Sequence, residues 1–378
     1  MKIKYIGYYC ADKDTDAYCS PAAINKMTYV AESLKQIGYE VEIISLSGRG
    51  RKKYNSRTSQ LLENLIKLTY ISVLPRTNPI IRRLNNWWSF CGLFLYLLRT
   101  VKKNDILVIY HSIAFIHVWR RIQKIKKCRI CLEVEEIYQD AQSIKEELKK
   151  REYQAFEWAD SYIFPTAVLQ KKVDKTQKKP FVIAHGSYKL PPQKETIFVD
   201  NTIHVVYAGT FDQKKGGVTS AIKAGGFLDE KYHLHIIGFG NQQETNQVLQ
   251  LIEEVNNKAR CQITHDGCKM GEEYAQFIQS CQVGLSTQKI DNKLNDTSFP
   301  SKILSYLAND VNVVTVKIKV VEESAVGDIV YYYTADEPED IARVVEVASQ
   351  KPEKTGRKRL MELDKAFIKE TEEMLKKM

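Results

Sequence analysis

No stretch of the 378-residue chain approaches the roughly 20 consecutive apolar residues that a membrane-spanning helix requires. The opening "MKIKYIGYYCAD" turns polar too soon for a secretory leader, so a cytoplasmic protein is expected. Repeats with periods of roughly 20 to 50 residues are missing, which argues against a solenoid, and no tract is of low complexity. Eight cysteines are scattered along the chain. Cys128 and Cys131 form a CxxC pair with no second pair at zinc spacing, inside the strand-like "CRICLEV" where alternate side chains diverge. Most of the cysteines therefore read as buried thiols. The full dinucleotide fingerprint is lacking too: "HIIGFGN" supplies a GxG without the acidic residue that should follow, and no pyridoxal lysine motif is present. No metal and no cofactor is expected.

What is present is a large apolar fraction, 44%, and a length that favours two domains over one. The formal charge of +10 is unevenly placed. Residues 49–103 hold twelve Arg and Lys against Glu63 alone, so the rest of the chain nets to minus one. Within that basic region lies "WWSFCGLFLYLL", residues 87–98, flanked by Arg82, Arg83, Arg99, Lys102 and Lys103. A basic, aromatic-rich amphipathic element is attracted to an anionic membrane surface, by about 1 kcal/mol per nearby Lys or Arg. Residues 76–103 are thus expected to dock on a membrane face; the alternative is a core helix with solvated charged neighbours. No recognition motif accompanies the charge, so nucleic acid is not an expected partner.

Strand-like and helix-like segments alternate. "KIKYIGYY", "EVEIISL", "DILVIYH", "RICLEVE" and "SYIFPT" precede a break at "KLPPQKETIFVDN", and "IHVVYAG", "HLHIIGFG", "QITHDG", "QVGLSTQ" and "VNVVTV" follow it. This rhythm predicts an α/β chain of two doubly wound, Rossmann-like domains facing across a cleft. The expected boundaries are 1–190, a linker at 191–201, a second domain at 202–350 and an amphipathic C-terminal helix at 351–378. In that helix Leu360, Leu363, Phe367, Met374 and Leu375 lie near one face.

Three places in the second half could hold an anion. "YAGTFDQKKGGVTSAIKA" is a strand ending at Gly209 and Thr210, a loop with Lys214 and Lys215, and Gly216 and Gly217 opening a helix. Glycines let the backbone approach a ligand, and helix-start N–H groups favour negative charge. Gly238 and Gly240 mark a second strand end. The third place is "SFPSKILSYLA", with Pro300 near the first turn, Thr297 or Ser298 as caps, and Ser301, Lys302 and Ser305 on one helix face. Strand carboxyl ends are where open parallel sheets bind ligands, and together the three argue for a phosphorylated donor.

The pattern resembles glycosyltransferases of the GT-B fold, and among them family 4, the retaining nucleotide-sugar enzymes of bacterial polysaccharide assembly. The resemblance spans nearly the whole chain and is strongest over residues 203–347. Its carriers are "YAGTFDQKKGG", "HIIGFGN", "ITHDG" and "SFPSKILSYLANDVNVVT" in the second half, with "LEVEEIYQD", "WADSYIFPT" and "VIAHGSY" in the first. It implies that Gly209 faces a diphosphate, that Lys215 neutralises it, that Ser301 and Lys302 hold it from the second helix, and that the loop after Gly267 borders the nucleobase. Thr297 and Ser305 stand where much of the family has two glutamates, and Thr210 where relatives place an arginine, leaving Lys214 and Lys215 to supply charge. Glu135 and Glu136 stand near the place of a family histidine, and with His111 they are the catalytic candidates; a structural role is the alternative for His111.

The resemblance implies a metal-independent hexosyltransferase moving a sugar from a nucleotide-diphosphate donor, expected to be a UDP-sugar, with retention of configuration. The expected acceptor is a lipid-linked oligosaccharide at the inner membrane face, in exopolysaccharide, capsule or O-antigen assembly. It would enter near residues 10–22 and Glu135 and Glu136. The competing reading is a GT-B pseudoenzyme that serves as a partner subunit or glycan-binding module.

Overall fold

The computed structural model describes residues 2–11, 20–47, 54–75, 78–138, 146–176, 178–212, 216–290, 293–351 and 355–378. The chain divides into two compact units, Met1–Ser187 with Lys365–Met378, and Tyr188–Asp364.

The first unit is built on a sheet of order β3-β4-β2-β1-β5-β6-β7-β8. Its strands are β1 (Lys2–Gly7), β2 (Glu40–Ser45), β3 (Thr58–Leu61), β4 (Lys67–Tyr70), β5 (Ile106–Tyr110), β6 (Arg129–Glu133), β7 (Ser161–Phe164) and β8 (Phe181–Ile183). All neighbours pair in parallel except β3, an antiparallel edge on β4. Strands such as β5, "ILVIY", are apolar without alternation because helices cover both faces of a parallel sheet. The Pro21–Gln36 helix starts with proline in its first turn. It ends at Gly38, φ +106°, where Tyr39 N–H donates to Leu34 O and Gly38 N–H to Lys35 O, closing the last turn as a Schellman motif does.

The basic, aromatic segment forms one helix, Pro79–Thr100, capped by the Asn78 side chain accepting from Ile81 N–H at 2.9 Å. One of its faces is buried and another is exposed. Leu93, Tyr96 and Leu97 enter the core, while Ile80, Leu84, Trp87, Trp88 and Leu95 are exposed. Positions 80, 84, 87, 88 and 95 recur at helical spacing, so the exposed residues share one stripe. Among the described residues no helix is long and apolar enough to cross a membrane.

The second unit carries β9 (Ile203–Thr210), β10 (Tyr232–Phe239), β11 (Gln262–His265), β12 (Val283–Ser286), β13 (Asn312–Val316) and β14 (Tyr331–Tyr333), all parallel, in the order β11-β10-β9-β12-β13-β14. The order reverses between β9 and β12, the kind of switch point where such sheets open a crevice at the strands' carboxyl ends. Residues 191–201 carry no helix or strand, but Lys194 N–H donates to Gln279 Oε1 and Ile197 N–H to Ser280 Oγ. The terminal helix, Gly356–Lys377, buries Leu360, Phe367, Met374 and Leu375, and leaves Leu363 half-buried. Burial pushes the Cys128 thiol up to about 11 and the Cys131 thiol to about 12.

Candidate functional site

Strands β9 and β12 pair only through Val283 opposite Val205 and Gly284 opposite Val206, and then part. Tyr306, fully buried in the Ser301–Ala308 helix, fills the fork. Its hydroxyl accepts from Ala208 N–H at 2.8 Å and donates to Leu285 O at 3.3 Å. A Cβ on Gly284 would lie 2.5 Å from the Tyr306 ring, so glycine there makes room for the wedge. The sequence reading did not single out Tyr306; an aromatic on the apolar face of a short helix gives only a core signal.

The wedge places the next face of the same helix beside the end of β9. A Cβ on Gly209 would meet Lys302 Nζ at 2.6 Å, so the ammonium rests where a side chain would otherwise be. It also lies 3.7 Å from the centre of the Tyr207 ring, a cation–π contact that fixes its position. Tyr207 O–H donates to Thr210 O at 3.3 Å, and burial pushes that phenol well above its ordinary range. Gly238 holds the neighbouring strand end at φ +149°, with its N–H donating to Gly267 O at 3.0 Å, and a Cβ there would come within 1.8 Å of Gly209 O. Gly240 packs on Glu244, whose carboxylate closes the capping box with Asn241. Gly267, φ +76°, has open space around its Cβ position.

The second anion candidate is the start of the Gly217–Gly225 helix. Gly216, φ +67°, is its N-cap and brings no capping side chain. The turn is pinned to the end of β12: Thr287 O–H donates to Gly217 O at 2.6 Å. Lys289, which the sequence reading overlooked because it falls in an irregular loop, lies along Gly216, 2.8 Å from its Cβ position. A cavity of about 390 Å³ opens here, lined by Thr219, Ser220, Lys223 and Lys289 and also by the acidic Asp336 and Glu337. Lys214 and Lys215 lie outside the described residues.

The "SFPSKILSYLA" stretch departs from expectation at its start. The helix begins at Ser301 with Pro300 as N-cap, φ −69° and ψ 101°, and no side chain caps it. The extended ψ of Pro300 moves the helix start past Thr297 and Ser298, out of capping position. Thr297 is buried, and the Ser298 Oγ is enclosed without a hydrogen-bond partner. Ser301 is exposed. Ser305 is taken up by Tyr274, whose hydroxyl lies 2.8 Å from its Oγ. The structure thus gathers Gly209, Thr210, Gly238, Lys302 and the start of the 301–308 helix at one strand end.

In the first unit the three catalytic candidates follow β5 and β6. His111 is enclosed, its Nε2 2.8 Å from Glu152 Oε1, and its carbonyl accepts from Tyr138 O–H at 3.1 Å. Glu135 lies 3.6 Å from the buried Lys26 ammonium. Burial lowers the Lys26 pKa, and Glu135 offsets part of that effect. Two residues before, Glu133 is fully buried against the Tyr5 hydroxyl, and burial, followed by repulsion from Glu135, raises its carboxyl well above the carboxylate range. His185, whose Nδ1 lies 2.7 Å from Pro165 O, is lowered to about 4 by burial. Most of the expected acceptor loop, residues 12–19, lies outside the described residues.

No protein-family model matches the chain, and no curated protein matches it. Solved structures do. Sucrose-phosphate synthase from Thermosynechococcus elongatus matches with a TM-score of 0.72 at 14% identity, over 100% of this chain and 98% of that one. Anabaena HepE, solved in complex with UDP and glucose, matches with a TM-score of 0.63 at 12% identity, over 97% and 95%. The lipopolysaccharide outer core galactosyltransferase WaaB, in its apo form, matches with a TM-score of 0.63 at 14% identity, over 99% of each chain. The chain has the GT-B fold.

Proposed function

We propose that this protein is a retaining glycosyltransferase that moves a sugar from a nucleotide-diphosphate donor, a UDP-sugar, to a lipid-linked oligosaccharide. The observation that carries the reading is the Lys302 ammonium held over Gly209 at the switch point of the second sheet. Departure of the sugar leaves charge on the diphosphate, and a fixed cation together with helix-start N–H groups stabilises that charge without reorganising. Gly209 leaves the approach clear, Lys289 and the Gly216 turn supply a second positive end, and the reaction needs no metal. In the first unit Glu135 and Glu136 face the acceptor, and His111 acts as a positioning residue through Tyr138. The complex of Anabaena HepE with UDP and glucose, in the same fold, supports this choice of donor.

The acceptor is inferred from the Pro79–Thr100 helix. Its exposed stripe of Ile80, Leu84, Trp87, Trp88 and Leu95 adjoins Arg83, Arg99, Lys102 and Lys103, which matches an anionic lipid surface in both apolarity and charge. The protein is accordingly assigned to the cytoplasmic face of the membrane, in polysaccharide assembly.

Release of nucleotide from a panel of nucleotide sugars, with lipid-linked acceptors present, tests the proposal, and NMR of the product tests retention. No turnover of any donor with any acceptor would count against catalysis. One observation favours a second reading, a non-catalytic GT-B module: Ser305 is occupied by Tyr274 and Thr297 is buried where carboxylates would be expected. Calorimetric titration with UDP separates the two, since a degenerate crevice shows no saturable binding.

A further inference from the structure

At the other end of the second sheet, three histidines lie together. His204 is the second residue of β9, and His233 and His235 are the second and fourth of β10, with His233 in register opposite His204. Alternation along a strand puts all three on one face. A ring nitrogen from each lies within 4.8 Å of the others. From His204 to Gly209 the strand rises roughly 16 Å, so this cluster is separate from the Lys302 crevice.

The hydrogen bonds assign the tautomers. Asp266 Oδ2 is 3.0 Å from His235 Nδ1, and Asp200 Oδ1 is 3.0 Å from His204 Nε2; an ionised carboxylate only accepts, so both of those nitrogens carry hydrogen. Thr264 O–H donates to Asp266 at 2.8 Å, so its oxygen accepts from His233 Nε2–H at 2.9 Å. Each neutral ring then has its remaining nitrogen unprotonated. Two of these, His204 Nδ1 and His235 Nε2, are 2.9 Å apart. Two lone pairs at that separation repel unless an electrophile lies between them, and the choice is a proton or a metal ion. Both rings are 2% exposed.

We infer that His204, His233 and His235 form a binding site for a divalent transition metal of the zinc class. Neutral imidazoles are the ligands such an ion takes, and zinc–nitrogen bonds of about 2.0–2.1 Å in tetrahedral geometry need the two facing nitrogens to part by only about 0.4 Å. Carboxylates on the outer nitrogens of His204 and His235 match the support that ligating histidines receive, fixing ring orientation and raising basicity. Phe198 stacks over His204 at 3.9 Å and 12° and over His235 at 4.9 Å and 14°, covering the ring faces while leaving the ring edges to the ion. His233, half-buried, marks the side open to solvent and to a fourth ligand. The bound ion would tie β9 to β10 and, through Asp200 and Phe198, to the segment before β9.

The test is independent of catalysis. The full chain, stripped with a chelator, is titrated with zinc by calorimetry, and cobalt is substituted to report geometry. One zinc per chain, tetrahedral cobalt bands in the visible spectrum and a higher melting temperature are expected. Asp266→Asn should weaken zinc binding ten- to hundredfold, and His233→Gln, at the half-buried position, should weaken it at least as much while circular dichroism shows the fold retained. A folded chain that takes up no zinc would overturn the proposal and leave a shared proton in its place. Undiminished zinc binding by His233→Gln would overturn it too, by locating the ion elsewhere.

Discussion

Lys302 and Gly209 are a matched pair: the glycine lacks the atom that would displace the ammonium, and the ammonium occupies that space. Substituting either tests donor binding in different ways. Lys302→Ala should lower UDP affinity at least tenfold by calorimetry with little change in melting temperature. Gly209→Ala should weaken binding too, because the clash is with the flexible end of a lysine and is relieved by moving it. Gly238→Ala should behave differently. Its Cβ would meet the Gly209 carbonyl, and its φ of +149° is strained for any other residue, so a loss of about 3 kcal/mol in denaturant unfolding is expected. The sequence could single out the glycines and Lys302 at this scale, since strand, glycine and helix start are local signals. What holds Lys302 in place was not: the Tyr207 ring and the Tyr306 wedge come from distant elements.

Among the elements, the Pro79–Thr100 helix is held by an ion cluster. Glu42 on β2 accepts from Lys4 at 2.6 Å, from Tyr96 at 2.5 Å and from Thr69 at 2.7 Å. Burial raises the Glu42 carboxyl, but these bonds outweigh it and bring it down to about 2 from an ordinary 4.5. A pKa lowered in the folded state stabilises that state above the unfolded value and loses the effect as pH falls toward the folded one. About 3 kcal/mol should therefore disappear between roughly pH 4.5 and pH 2. Thermal melts of Glu42→Gln should depend less on pH across that window than those of the parent. On the opposite face, Trp87→Glu with Trp88→Glu should abolish sedimentation with anionic vesicles and leave UDP binding unchanged. Strands β3, β4, β8 and β14, each three or four residues long, escaped the sequence reading.

For the whole molecule, two parallel sheets and their helices were readable because burial on both faces makes each strand an apolar run, and each run is bounded by its own turn residues. The sequence by itself determined most of the elements and the two-sheet class, and it singled out strand ends as candidate anion sites. Tertiary structure decided which side chains meet. It set Tyr306 into the fork between β9 and β12, moved the helix start past Thr297 and Ser298, and gave Ser305 to Tyr274. It also brought His204 beside His233 and His235, a cluster for which "HLH" was only half a signal. The physical reason is one of range: periodicity records whether a residue is buried, whereas the neighbour it is buried against depends on strand order and register, which no local stretch of sequence specifies.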